Sequence, residues 1–210
     1  MKILSLGLDN SILDKNSHLA GRAVEYGEMV SQYDVVVPGE KDDIIKLSDK
    51  VKVYSVGGTV KSVKLIKLYK LAKERLNKEK YDIITVQDQY YLGWIGLKLA
   101  KKFKIGLELQ VHGFEKYRGL RKAIAKKVIK RANAVRVVSQ RLKKKMIEKF
   151  GVEKEKITVV PIYTEVESYK VYKVKSDSDK IIFLTIGRLV SVKNIKMQIK
   201  AMAEVVKKYK

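Results

Sequence analysis

Cysteine is absent from the 210 residues, and histidine, proline and tryptophan are nearly so, at two, two and one. The first absence excludes disulfides and thiolate metal sites and fits a reducing compartment. The two histidines, His18 and His112, lie far apart in the chain and make a poor start for a histidine-based zinc site. No apolar run approaches the length of a membrane-crossing helix, and Met1-Lys2 leads straight into the strand-like ILSLG instead of a secretory leader. Two phosphate-binding signatures are also missing. GLDNS after the first strand offers one glycine where G-x-G-x-x-G needs three, and no Walker A lysine motif occurs. NAD enzymes and P-loop NTPases are thereby disfavoured. Acidic residues are outnumbered, with Asp+Glu 23 against Lys+Arg 46.

The resulting charge of +23 attracts nucleic acid, anionic lipid or phosphorylated small molecules, or it is simply a solvated lysine surface. Charge says nothing about fold. The 46% apolar content is ample for one packed domain with some surplus chain.

Periodicity predicts alternating strands and helices. Strands are expected at 2–7, 34–37, 51–56, 82–86, 106–111, 134–138 and 157–160. Helices are expected at 19–33, 60–77, 92–103, 120–131 and from the Ser139 cap to Phe150. Gly21 and Gly27 suggest a first helix packed closely on the sheet. Crossovers of this length imply a mostly parallel, Rossmann-like sheet with helices on both faces. All strand-to-helix loops then share one rim. The loops 7–17, 57–58, 87–91 and 112–118 fall there.

From Pro161 the pattern falters. Residues 1–163 read as one domain, 164–179 as a polar linker, and 180–210 as the start of a second α/β domain with a strand at 181–186 and a helix at 192–209. One strand and one helix cannot bury a core, so the chain reads as stopping inside that domain. The alternative is that this last unit extends the first sheet.

Three short stretches bear chemistry. In GLELQVHGFE, at 106–115, leucine and valine alternate with Glu108 and Gln110, and His112 follows the strand end, where open α/β sheets bind ligands. The plain alternative is a surface-loop histidine tied to a backbone carbonyl. QDQYY at 87–91 offers Asp88 as the cap of the next helix or as a partner for a substrate hydroxyl, with Tyr90 and Tyr91 able to stack on a sugar. Gly187-Arg188-Leu189 with Lys193 lies before a helix start, where free N–H groups favour an anion and two cations can grip phosphate. The basic exteriors at 61–73, 121–131 and 141–145 are either solvated helix backs or attracted to an anionic membrane, at about 1 kcal/mol per basic residue near the lipid.

LELQVHGFE, ANAVRVVSQRLKKKMIEKFGVEKEKITVVP and IIFLTIGRLVSVKN, in this order, resemble family 4 glycosyltransferases of the GT-B fold. The resemblance implies two Rossmann-like domains over a cleft, with the acceptor on the first and an NDP-sugar on the second. It also implies transfer with retention and no metal or other cofactor. Carried over, His112 lies against the donor sugar, Arg188 and Lys193 neutralise the donor diphosphate, and Ser139 caps a helix. Asp88 and Gln89 fall in an acceptor-side loop, with Asn16 and His18 lining the other where the family's usual glycine pair is missing. Ile162-Tyr163 replaces the Asn-Gly usual after the hinge proline. The acidic motif that anchors the donor would lie beyond Lys210, so this stretch alone is expected to be inactive.

The leading expectation is thus a glycosyltransferase acting on a glycan or lipid-linked acceptor, in the cytoplasm or peripheral at the inner face of the membrane. The competing one is a non-catalytic basic module holding anionic membrane or nucleic acid. Specific nucleic-acid recognition is disfavoured, because there is no zinc module and no aromatic platform among basic strands.

Overall fold

The computed structural model describes residues 1–114, 117–162, 182–187 and 189–209. The chain divides into two compact units, Met1–Thr164 and Glu165–Lys210.

The first unit is built on an eight-stranded sheet. Its strands are β1 (Lys2–Leu6), β2 (Gln32–Pro38), β3 (Asp43–Lys46), β4 (Val51–Val56), β5 (Ile83–Val86), β6 (Gly106–Val111), β7 (Ala134–Val137) and β8 (Ile157–Val159). They lie in the order β3-β4-β2-β1-β5-β6-β7-β8, and all pairs are parallel except β3 with β4. From β1 the chain winds outward to β2 and β4, then returns to place β5 on the other side of β1. The gap between the carboxyl ends of β1 and β5 is therefore the topological switch point.

Among the described residues five α-helices complete this unit: α1 (His18–Glu28), α2 (Lys61–Lys78), α3 (Tyr91–Phe103), α4 (Gly119–Arg131) and α5 (Gln140–Phe150). The α2–α5 face holds the larger core, where Leu68, Ala72 and Leu76 of α2 meet Leu4, Val36 and Ile84 of the sheet. Those three recur at helical spacing, and each fully buried leucine contributes about 1.5–3 kcal/mol. The smaller core, with Ala23 of α1 against Tyr33, Val35, Val51 and Val53, lies on the opposite face. Helices thus cover both faces of a mostly parallel sheet, as the periodicity predicts.

Local signals set most helix ends. Ser17 Oγ accepts from Ala20 N at 3.1 Å and Ser139 Oγ from Leu142 N at 3.3 Å, so both serines are N-caps. Gly151, at φ 64°, ends α5 in the left-handed conformation that glycine adopts without strain. One fully buried acid ties three elements together. Asp34 in β2 accepts from the Tyr81 hydroxyl and, at 3.0 Å, from Gln32 Nε2, with Arg75 of α2 3.6 Å away. Burial and then the Asp34 carboxylate push the Tyr81 phenol well above its ordinary range.

The structure departs from the sequence reading in five places. Helix α1 ends at Glu28, not Tyr33, because Tyr33 N donates to Lys50 O at 2.8 Å and Gln32 is already in register with Lys2 of β1. The polar loop after β1 contains a 3₁₀ turn, Asn10–Leu13, capped by Asp9 and burying Ile12. The charged stretch after Pro38 yields β3, an edge strand whose pairing with β4 no alternation announces. Only one of the two α1 glycines makes a close approach: a Cβ on Gly27 would fall 2.2 Å from Val51 Cγ2, whereas one on Gly21 would meet nothing within 4 Å.

The fifth departure is in the second unit. Residues 182–186 form no strand, a 3₁₀ turn spans Ser191–Lys193, and α6 runs Ile195–Lys208 with no buried residue. The expected linker, 164–179, lies outside the described residues, as does Ile181 at the head of the expected strand. Among the described residues no helix is long and apolar enough to cross a membrane.

Candidate functional site

The carboxyl ends of β1, β5 and β6 bring Gly7, Gln87 and His112 to one rim, where a row of polar side chains crosses the sheet beneath them. Parallel pairing puts Thr85, Glu108 and Gln110 on one face and Leu109 and Val111 on the other. Gln110 Nε2 donates to Thr85 Oγ1 at 2.9 Å, and the Thr85 hydroxyl donates to Glu108 Oε2 at 2.5 Å. Arg136 of β7 closes the row with its Nε 3.1 Å from Glu108 Oε1. The leucines thus face the core, while their polar partners bear a satisfied network.

Above this row lies a cavity of about 570 Å³, walled by Arg22, Glu25 and Tyr26 of α1, by Gln87, Gln110, His112 and Arg136, and by Val160–Ile162 after β8. His112 opens onto this cavity. Partial burial, and then the charge of Arg136, hold its imidazole below the ordinary histidine range, so the ring is neutral at pH 7. A neutral imidazole has one N–H to donate and one nitrogen to accept, which suits a sugar hydroxyl.

Two anchors hold the loop that carries His112. Gln89, buried in the loop after β5, donates from Nε2 to Gly113 O at 2.6 Å. On the other side Phe114 stacks on Phe150 of α5 at 5.2 Å and meets Tyr117 edge-on at 5.1 Å. A Cβ on Gly113 would meet nothing within 4 Å.

A second cavity, of about 410 Å³, opens on the α2–α4 side of the same rim and shares Leu8 with the first. Its walls include Asn10, Lys61, Lys64, Asp88, Tyr90, Tyr91 and Arg121. Asp88 Oδ1 accepts from Tyr90 N at 2.9 Å and Leu92 N at 3.3 Å and so begins α3. Arg121 lies over the rings of Tyr90 and Tyr91, 5.9 and 5.5 Å from their centroids. Two cavities therefore flank the switch point, one bearing the imidazole and the other cations and tyrosines.

The residues proposed from sequence are thus distributed. His112 and Asp88 line one cavity each, while Gln89 holds the His112 loop from within. Asn16 and His18, exposed at the start of α1, line neither. In the second unit the Lys193 side chain reaches back over the Gly187 turn, about 3.9 Å from where a Cβ on that glycine would stand. Arg188 lies outside the described residues. Arg136, Gln110 and the aromatic clip were missed; a lone arginine inside the short apolar strand AVRV was the available signal. Among the described residues no group of three or more His, Asp or Glu is placed to hold a metal ion.

An eight-stranded Rossmann-like sheet of this order, with its cavities at the carboxyl edge, is that of a GT-B domain. The family follows from residues 28–164, which match the model of Glycosyltransferase Family 4, and the chain belongs to that family. Solved structures agree on the fold. The lipopolysaccharide outer core galactosyltransferase WaaB, in its apo form, superposes with a TM-score of 0.58 at 15% identity, covering 84% of this chain and 50% of that one. HepE from Anabaena, in complex with UDP, gives 0.53 at 19%, covering 82% and 47%. The UDP-GlcNAc 2-epimerase of Methanocaldococcus jannaschii gives 0.55 at 17%, covering 76% and 45%. The chain thus spans about half the length of these proteins. No curated protein sequence matches it.

Proposed function

We propose that this chain supplies the acceptor-side half of a glycosyltransferase that moves a sugar from an NDP-sugar to a glycan or lipid-linked acceptor with retention. The observation that carries the reading is the pair of cavities on either side of the switch point, with His112 lining one of them. Transfer between two substrates needs two adjoining sites, and an open α/β sheet provides them at this edge. Family membership favours transfer chemistry over a binding-only module. A nucleotide-sugar donor is supported by the UDP bound to HepE and by the UDP-GlcNAc and UDP bound to the epimerase.

In this reading the donor sugar meets His112. The bond from its anomeric carbon to the diphosphate breaks, a bond to an acceptor hydroxyl oxygen forms, and the proton of that hydroxyl leaves with the departing diphosphate. A neutral imidazole hydrogen-bonds a sugar hydroxyl without drawing the diphosphate toward itself. Lys193 and Arg188 are the proposed partners of that diphosphate, whose charge grows as it departs.

The test is transfer from a radiolabelled NDP-sugar by the intact protein. His112→Ala is expected to lower kcat/KM by about 100-fold or more, the usual scale for losing one polar contact made in the transition state. Undiminished turnover in that variant would remove His112 from the mechanism.

A further inference from the structure

The residues between β5 and α3 touch the two cavities in turn. Gln87 lines the His112 cavity, while Asp88 and Tyr90 line the other. Gln89, between them, is 4% exposed and lines neither. This stretch is pinned on its α3 side. Asp88 Oδ1 accepts from Tyr90 N and Leu92 N, and α3 closes so tightly that a Cβ on Gly93 would fall 2.6 Å from Asp88 O. Across the rim it is attached through the Gln89 amide, whose Nε2 donates at 2.6 Å to the carbonyl of Gly113, the residue after His112.

Burying an amide costs desolvation that an apolar side chain of equal size would avoid. What the glutamine adds is direction, because one N–H is aimed at one carbonyl where the low dielectric makes that bond strong. The backbone it holds has open space around it, since a Cβ on Gly113 would meet nothing within 4 Å. The next anchor is the Phe114 ring, stacked on Phe150. His112 is thus suspended between Gln89 and the aromatic clip.

We infer that Gln89 is a positioning residue that ties His112 to the Asp88–Tyr91 cavity, so that an acceptor sugar held there sets the imidazole against the donor. Contact with Asp88 or Tyr90 moves the residues on either side of Gln89, and its bond to Gly113 O passes that movement to the neighbour of His112. The consequence is that transfer outruns hydrolysis of the donor only when both cavities are filled. A ring misplaced by about 1 Å loses up to about 100-fold of its effect. The inference rests on the transfer reading for the words acceptor and donor; the tie between the cavities stands on the geometry alone.

The experiment follows the His112 ring protons by NMR at constant pH in a double-mutant cycle on the chain. Gln89→Met keeps the length of the side chain and removes its N–H, whereas Asp88→Ala loosens the loop from the side of the second cavity. Q89M is expected to shift and broaden the ring signals, and D88A to displace them in the parent chain but not in the Q89M background. Ring signals unmoved by Q89M, or displaced by D88A equally with and without Gln89, would overturn the proposal. Q89N, whose amide falls one methylene short of Gly113 O, reads the same loss should Q89M fail to fold.

Turnover gives a second readout in the intact protein, with UDP-GlcNAc as donor probe and methyl glucoside as acceptor probe. The ratio of transfer to donor hydrolysis is expected to fall about tenfold or more in Q89M. A smaller folded fraction lowers both rates alike and leaves the ratio where it was, so an unchanged ratio also overturns the positioning role. The two readings fail differently. Coupled ring signals without any sugar transfer by the parent protein fault the transfer reading and leave the tie, whereas transfer with ring signals indifferent to Q89M faults the tie.

Discussion

His112 owes its protonation state to what surrounds it. Burial disfavours the imidazolium and Arg136 repels it, so the folded-state pKa is lowered from about 6.5. Between the folded and unfolded pKa values the unfolded chain binds more protons, so stability rises with pH across that window. The contribution is complete above about pH 6.5 and is lost as pH falls toward the folded value. An NMR titration of the His112 ring is expected to give a midpoint below 6.5, and Arg136→Gln to raise it while leaving the part due to burial. A midpoint unmoved by R136Q would mean that the arginine's charge does not reach the ring. Arg136 also pairs with Glu108, so a single side chain links the network beneath the cavity to the imidazole above it.

At the scale of an element, α1 contains two glycines with opposite consequences. Gly27 faces β4 so closely that a methyl group would overlap Val51, and Gly27→Ala is expected to destabilise the fold by about 1–3 kcal/mol. Gly21 is exposed in the same helix with open space around it, and Gly21→Ala is expected to stabilise by up to about 1 kcal/mol through helix propensity alone. Urea denaturation of both variants checks the pair; a shared sign would contradict the placement of α1 on the sheet. The loop after β6 shows the same dependence on context. Its order comes from Gln89, 24 residues from Gly113, and from Phe150, 36 residues beyond Phe114, and neither is announced by the loop's own composition.

Across the whole molecule, order follows burial. The first unit buries its strands between two cores, whereas among the described residues no side chain of the second unit is buried, those of the 14-residue α6 included. Isolated helices of that length are marginal in water, because packing, not propensity, supplies most helical stability. Hydrogen exchange on the chain is expected to show amides of β1, β5 and β6 exchanging only through global unfolding, and those of α6 through local opening at little cost. Slow exchange in α6 would require that the helix be packed in solution. The charge of +23 acts at this scale too, drawing anions toward the surface.

The alternation of strands and helices, the serine caps, the Gly151 stop and the place of His112 on the rim were all legible in the residues alone. Each depends on periodicity or chemistry within a few positions, which the sequence carries locally. Arg188 and Lys193 were read from the same kind of local pattern and belong to the proposal, not to the geometry of the first unit. Tertiary structure decided what no local pattern holds. It made an edge strand of 43–46, cut α1 short so that Tyr33 could enter β2, joined Thr85, Glu108 and Arg136 into one row, and brought Lys61 and Arg121 to a single cavity. Those outcomes depend on hydrogen bonds, packing and charge between residues tens of positions apart, and such distances are set only when the sheet has closed.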